Sequence, residues 1–303
     1  MKANRLVSVV LLLLIAACLL FPCADAQQNY VSRKIYEEYK AAAEQGRSDA
    51  QFQLGFCYYK GLGVEKDYVE AVKWFRKAAE QNLAKAQYNL GVCYDDGLGV
   101  AKDKVEAVKW YRKAAEQNDA EAQNNLGSCY AEAQGVAKDD VQAAKWFRKA
   151  AEQNLASAQN NLGVRYLDGQ GVAKDEVEAA KWWRKAAEQN FAEAQYNFGV
   201  CYAEGHGVAK DEVEAVKWFR KAAAQNFAPA LYNMGFRFAN GRGVAKDYVE
   251  AYEWTLLAAA QGQEDAKKLM TLLENRMSRE QIAEGQKRAR NFKPRDVPPA
   301  GGR

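Results

Sequence analysis

Cys57, Cys93, Cys129 and Cys201 are the strongest nucleophiles in the body of the chain, and their spacing says how they are used. Each stands two residues after a glycine, at Gly55, Gly91, Gly127 and Gly199, in steps that are multiples of 36. Arg165 and Arg237 fill the same place after Gly163 and Gly235. Equivalent positions in stacked copies of one structural unit lie about one helix pair apart, near or beyond the ~7 Å Cα limit for a disulfide. No second cysteine accompanies them within a copy, and none lies close enough in sequence to complete a metal set. The expectation is four free, buried thiols behaving as small apolar side chains, with no disulfide and no metal site.

Other chemistry finds few parts. His206 is the sole histidine and reads as a solvated turn residue, so triads and His-rich metal sites are not available. Carboxylates fall in regular columns, and no pair departs from them to act as general acid and base. Gly97-Leu98-Gly99 precedes a helical stretch but lacks the third glycine and the preceding strand of a dinucleotide site. No catalytic residue and no cofactor is expected. Lys and Arg total 43 against 39 for Asp and Glu, a net charge of +4 with no concentrated basic face of the kind nucleic acid requires. One basic column does recur, as Lys109, Arg112 and Lys113 and their copies. It is either a solvated face balanced by Glu106 and Glu116, or a stripe that attracts an acidic polymer or anionic lipid.

The amides are the best site candidate. Asn89, Asn125, Asn161, Asn197 and Asn233 each lie two residues before the repeated glycine. Asparagine is a poor mid-helix residue, so a recurring one needs a reason. An amide both donates and accepts. It either bonds a peptide laid against these helices or bonds a neighbouring helix within the array, and the residues alone leave both open. The flanking column varies, reading Tyr88, Asn124, Asn160, Tyr196 and Tyr232. Tyr88, Tyr196 and Tyr232 would add aromatic contact.

The elements that carry these columns repeat with them. Trp74, Trp110, Trp146, Trp182, Trp218 and Trp254 are each 36 residues apart. Within one copy, Ala86, Leu90, Cys93 and Tyr94 mark one amphipathic helix, and Ala107, Val108, Tyr111, Ala114 and Ala115 mark a second. Asp103 with Glu106 and their copies resemble a capping box opening the second helix. Gly46, Asn82, Asn118, Asn154, Asn190, Asn226 and Gly262 form a column of residues that tolerate the left-handed conformation closing a helix. Glycines in Gly97-Leu98-Gly99-Val100 supply the turn, and Val100 tucks inward. Two short helices cannot bury such stripes alone, whereas stacked neighbours can. The fold class is therefore all-α, an α-solenoid of stacked antiparallel helix pairs. The expected frame is a capping helix at 27–46, six repeats at 47–82, 83–118, 119–154, 155–190, 191–226 and 227–262, capping helices at 263–292, and a disordered tail at 293–303. Ser278 to Gln281 reads as a capping box opening the last helix.

Residues 1–26 read as a signal peptide. Lys2 and Arg5 precede an apolar run from Val7 to Leu20, and Ala24-Asp25-Ala26 supplies the small–x–small cleavage pattern. Export to the periplasm or medium is expected. In the alternative, Ile15-Ala16-Ala17-Cys18 is a lipobox and Cys18 is lipidated, the one route to membrane contact.

The repeated pattern, typified by AKAQYNLGVCYDDGLGVAKDKVEAVKWYRKAA at 84–115, resembles the Sel-one-like repeat, a variant of the tetratricopeptide class. The third copy departs from it with Ala133 where the second has Gly97. The resemblance implies a right-handed superhelix that serves as adaptor or scaffold, binding a protein or peptide of unknown identity. It also implies that the asparagine column faces a concave peptide groove. No enzyme is expected. The alternatives are a cell-wall-associated hydrolase, or a protein that binds the peptidoglycan glycan itself.

Overall fold

The computed structural model describes residues 24–294, so residues 1–23, with Cys18 and most of the expected signal segment, lie outside the described residues. So does the tail from residue 295. All described secondary structure is helical. Helix α1 (Ala24–Glu44) precedes six helix pairs. These are α2 (Ser48–Lys60) with α3 (Tyr68–Glu80), α4 (Ala84–Asp96) with α5 (Lys104–Glu116), and α6 (Ala120–Glu132) with α7 (Asp140–Glu152). Next come α8 (Ala156–Asp168) with α9 (Glu176–Glu188), α10 (Ala192–Glu204) with α11 (Glu212–Ala224), and α12 (Ala228–Asn240) with α13 (Tyr248–Ala260). Helices α14 (Glu264–Glu274) and α15 (Arg279–Asn291) close the chain. The class is the expected all-α solenoid of tandem pairs. The chain forms two compact units, the first ending at Ala122 and taking in Gln134–Val136, the second comprising the rest.

The second helix of each pair begins, and both helices of a pair end, for a local reason. Asp67, Asp103, Asp139, Asp175, Asp211 and Asp247 are extended N-caps whose side chains accept from backbone N–H groups of the first turn. Such a cap contributes ~1 kcal/mol. The reciprocal half of the expected capping box is not formed. Glu70, Glu106, Glu178 and Glu214 turn forward to Lys73, Lys109, Lys181 and Lys217 at 2.6–2.8 Å. A lysine one turn ahead on the same face competes for the carboxylate and wins. The Ser278–Gln281 box is complete. At the closing end, Asn82, Asn118, Asn154, Asn190 and Asn226 adopt φ of 62–68° and Gly46 and Gly262 reach 88°, the left-handed residues the column implies. Ala133 takes the same conformation as the glycines of its column, with φ 56°.

The core is small side chains against large. Gly91 lies so near α5 that a Cβ there would stand 2.7 Å from the Tyr111 ring. In the first compact unit Ala71, Phe75, Ala78 and Ala79 of α3 enclose Ala86, Leu90 and Cys93 of α4, with Trp110 of α5 closing the cluster. In the second, Ala186, Ala194, Phe198 and Trp218 repeat this arrangement. Each buried Phe or Leu contributes ~1.5–3 kcal/mol.

The closing end differs. Helix α15 lies along α13, not along α14. Half-buried Glu253 of α13 faces Glu250 on its own helix and Glu284 and Arg288 on α15. Burial first, then Glu250, raise its carboxyl to about 7, against the pull of Arg288. The folded chain thus holds a proton that the unfolded chain has released above its ordinary value near 4.5. Stability of this end falls as pH rises from about 4.5 to about 7 and stays lost above that. Glu253→Gln is expected to slow hydrogen exchange in residues 264–291 at pH 8, by about 2 kcal/mol or less after solvent screening. At pH 5 the two proteins should exchange alike.

Candidate functional site

The first helices present the asparagine column. Asn89, Asn125, Asn161, Asn197 and Asn233 are all half-buried. Asn161 donates to Asn124 Oδ1 and Asn197 donates to Asn160 Oδ1, each at 3.0 Å. Asn233 donates to the Tyr196 hydroxyl at 3.4 Å and to the Pro229 carbonyl at 3.1 Å. Asn89 instead turns back to the Lys85 carbonyl at 2.8 Å. Three of the five amides therefore reach the flanking column of the preceding repeat, the second of the two roles open to them. That role uses part of an amide's capacity. Asn161 and Asn197 each keep a carbonyl oxygen and one N–H.

The flanking column is built into the frame. Tyr88 packs on Tyr111 at 6.0 Å between ring centroids, Tyr196 on Phe219 and Phe227 at 5.6 Å each, and Tyr232 on Phe236 at 6.4 Å. All three tyrosines are half-buried. Burial raises the Tyr196 phenol, against the bond from Asn233. Asn124 and Asn160 are buried beneath the amides that bond them. Within the second compact unit this face is thus a set of preordered amides and ring edges.

A second polar column escaped the sequence reading. Gln51, Gln87, Gln123, Gln159 and Gln195 are buried. Gln87 donates to the Ala79 carbonyl at 3.1 Å, and Gln159 to that of Ala151 at 3.2 Å. Their own side-chain oxygens accept from Gln117 and Gln189 at 2.7 Å. The signal was present, a glutamine unchanged in five repeats at a position facing inward.

The cysteine column is also clarified. Cys57, Cys93, Cys129 and Cys201 are buried and none is joined in a disulfide, and burial pushes Cys93 and Cys201 up to about 12. Arg165 reaches Asp140 at 3.3 Å and Arg237 reaches Glu212, both acids being the first residue of the preceding second helix. In the fifth repeat Cys201 offers no such charge, and His206 pairs with Glu176 at 3.1 Å instead. His206 is therefore a bridging residue rather than a merely solvated one. The basic column is largely spent inside the array. Four of its five first lysines pair with glutamates as above, Lys145 having Gln142 at the glutamate's place in the sequence. Its second lysines sit 3.6–4.2 Å from the Trp ring centroids, as Lys77 does over Trp74. Arg76 and Arg148 donate to the hydroxyls of Tyr94 and Tyr166. Among the described residues no group of three or more His, Cys, Asp or Glu is placed to hold a metal, and no helix is long and apolar enough to cross a membrane.

The family model for the Sel1 repeat matches residues 48–83, 84–119, 120–155, 156–191, 192–227 and 228–263. The chain belongs to the Sel1 repeat family. Its frame sits one residue after the frame read from the helix pattern. A protective antigen present in uropathogenic Escherichia coli strains, which displays an SLR fold, is 35% identical with a TM-score of 0.75. That similarity covers 84% of this chain and 55% of the antigen. A Sel1 repeat protein from Oxalobacter formigenes is 36% identical with a TM-score of 0.68, over 76% of this chain and 96% of that one. DAP3-binding cell death enhancer 1 of Rattus norvegicus shares 44% identity over 45 residues, 15% of this chain and 9% of that protein. The chain thus spans about half the antigen and a small part of the rat protein. Sel1-repeat solenoids are typically non-catalytic and mediate protein–protein interaction.

Proposed function

We propose that this Sel1-repeat chain is a non-enzymatic, exported scaffold that holds a protein or peptide segment against its first helices. The carrying observation is the Asn161 and Asn197 amides, fixed by one internal bond each and left with a free donor and acceptor. A backbone segment offers the matching carbonyl and N–H at every residue. The Tyr and Asn residues beside them change from repeat to repeat, which would set selectivity. The frame suits a rigid site, because the amides ride on helices rather than on loops. Export rests on the n-region, apolar run and cleavage pattern of residues 1–26.

The partner is to be captured by crosslinking in the native compartment and identified by mass spectrometry. Asn125→Ala, Asn161→Ala and Asn197→Ala together are then expected to weaken its binding by about tenfold or more, at about 1 kcal/mol per pair of lost hydrogen bonds. Helicity should be retained. Unchanged affinity in a folded triple variant would sink the assignment.

A further inference from the structure

The second helices carry a groove on a different face from the asparagines. In the first repeat Val69, Lys73, Trp74 and Lys77 of α3, with Gly99 and Val100 of the next link, line about 450 Å³. The same face opens about 300 Å³ in the fourth repeat, around Lys181, Trp182 and Lys185. The valine at its rim is a large apolar residue left in water: Val105 is 53% exposed and Val141 62%. Val69, Val177 and Val213 are likewise half exposed.

In the sixth repeat this seat is taken. Helix α15 lies on Val249, Glu250, Tyr252 and Trp254, the equivalents of Val69, Glu70, Val72 and Trp74, which all line the first groove. A Cβ at Gly285 would stand 3.4 Å from the Val249 carbonyl and 2.9 Å from the Tyr252 ring. Arg288 bonds Glu250 at 3.1 Å, and Phe292 meets Trp254 edge-on at 5.7 Å. Beneath α15 the Trp254 indole N–H donates to Glu250, whereas Trp110, Trp182 and Trp218 have no acceptor among the described residues. The chain therefore displays an amphipathic helix on this face where the Gly-Val link that follows each of the other five repeats is replaced.

Charge decides which helix. At the occupied seat the two lysines of the column are replaced by Glu253 and Leu257, and the docked helix is basic, with Lys287, Arg288 and Arg290. In the other five repeats both lysines remain, at positions 73 and 77 and their equivalents. Lys73 is matched by Glu70, while Lys77 lies over the Trp74 ring. We infer that the second-helix grooves of the first five repeats dock an amphipathic helix of a partner protein whose polar edge is acidic. This surface is separate from the asparagine face and stands or falls independently of it.

The probe is a fluorescein-labelled peptide spanning residues 278–292 with Lys287→Glu, Arg288→Glu and Arg290→Glu, compared by anisotropy with the unaltered peptide on the full chain. The acidic peptide should bind about tenfold more tightly, and the preference should shrink as salt rises from about 50 to about 500 mM. A chain carrying Lys77→Glu, Lys113→Glu, Lys149→Glu, Lys185→Glu and Lys221→Glu should reverse it. Equal binding of the two peptides, binding of neither, or an unreversed preference overturns the inference. Where the substituted chain fails to fold, a benzophenone replacing Ile282 in the acidic peptide decides. Crosslinks to residues 69–77 and their equivalents support the groove, and crosslinks confined to the first helices overturn it. The triple asparagine variant should bind the acidic peptide unchanged.

Discussion

Gly171→Ala is expected to destabilise the second compact unit by about 3–5 kcal/mol, while Gly169→Ala, two residues earlier, costs about 1 kcal/mol. Both glycines are left-handed, with φ of 72° and 68°. What separates them is the space beyond the missing Cβ. At Gly169 the nearest foreign atom would be the Lys174 Cβ at 3.2 Å, which can give by a few tenths of an ångström. At Gly171 the Cβ would run into the Asp140 carbonyl at the first turn of α7. That turn is held by the Asp139 cap and by Arg165, so it cannot retreat without losing both. The chain contains its own control. The Gly169 column already tolerates an alanine, Ala133, whereas its neighbour is glycine in all six repeats. Ala133→Gly should accordingly recover about 1 kcal/mol by relieving the left-handed penalty. Urea unfolding followed by circular dichroism measures all three, with hydrogen exchange to localise the change, since repeat arrays need not unfold in one step. Equal losses for Gly171→Ala and Gly169→Ala would show that the close approach is not what holds this column.

What the sequence disclosed was whatever is decided within one helix turn. Asp103 caps, Asn118 closes and Gly97 turns by local stereochemistry, so residue type and spacing suffice. The helix pairs and the small-against-large packing follow from the same columns. Interactions between repeats were not legible, because their partners stand 25 to 37 residues apart and only a register fixes which atoms meet. Even within one turn the choice between two partners was hidden, since Glu106 reads as a capping-box partner until Lys109 is seen to hold it. His206 reads as a turn residue until Glu176 is placed beside it by the preceding repeat. For the asparagines, composition posed both roles, and geometry showed that three amides fill the internal role, Asn161 and Asn197 with valence left over.

Gln159→Glu should be the most damaging polar substitution, costing about 3–4 kcal/mol at pH 7. Gln159 is 1% exposed, and its Nε2 donates to the Ala151 carbonyl and to Asn154 Oδ1 at 3.2 and 3.1 Å. Glutamate keeps the volume but turns both donors into a buried anion facing two acceptors. Its folded carboxyl must rise above the ordinary range, so the loss should grow as pH rises through that window and shrink near pH 5, where a protonated acid restores one donor. Gln159→Leu should cost only about 1 kcal/mol. The sixth repeat shows why: Leu231 stands in this column fully buried, and Gln261 moves its bonds to the Asn226 carbonyl and side chain at 3.1 and 2.9 Å. Ala151 keeps its bond from the Asn154 N–H at 3.0 Å, so removing the glutamine strands no carbonyl. Gln159→Ala should fall between, through the cavity it leaves. Thermal melts at pH 5 and pH 7 give the order Leu, Ala, Glu at pH 7, with Glu recovering at pH 5. If glutamate proved milder than leucine, the ladder would be a wet, adaptable seam. If the order holds, the first, second, fourth and fifth repeats are tied to the preceding helix end through this one amide, whereas the sixth is tied through Gln261.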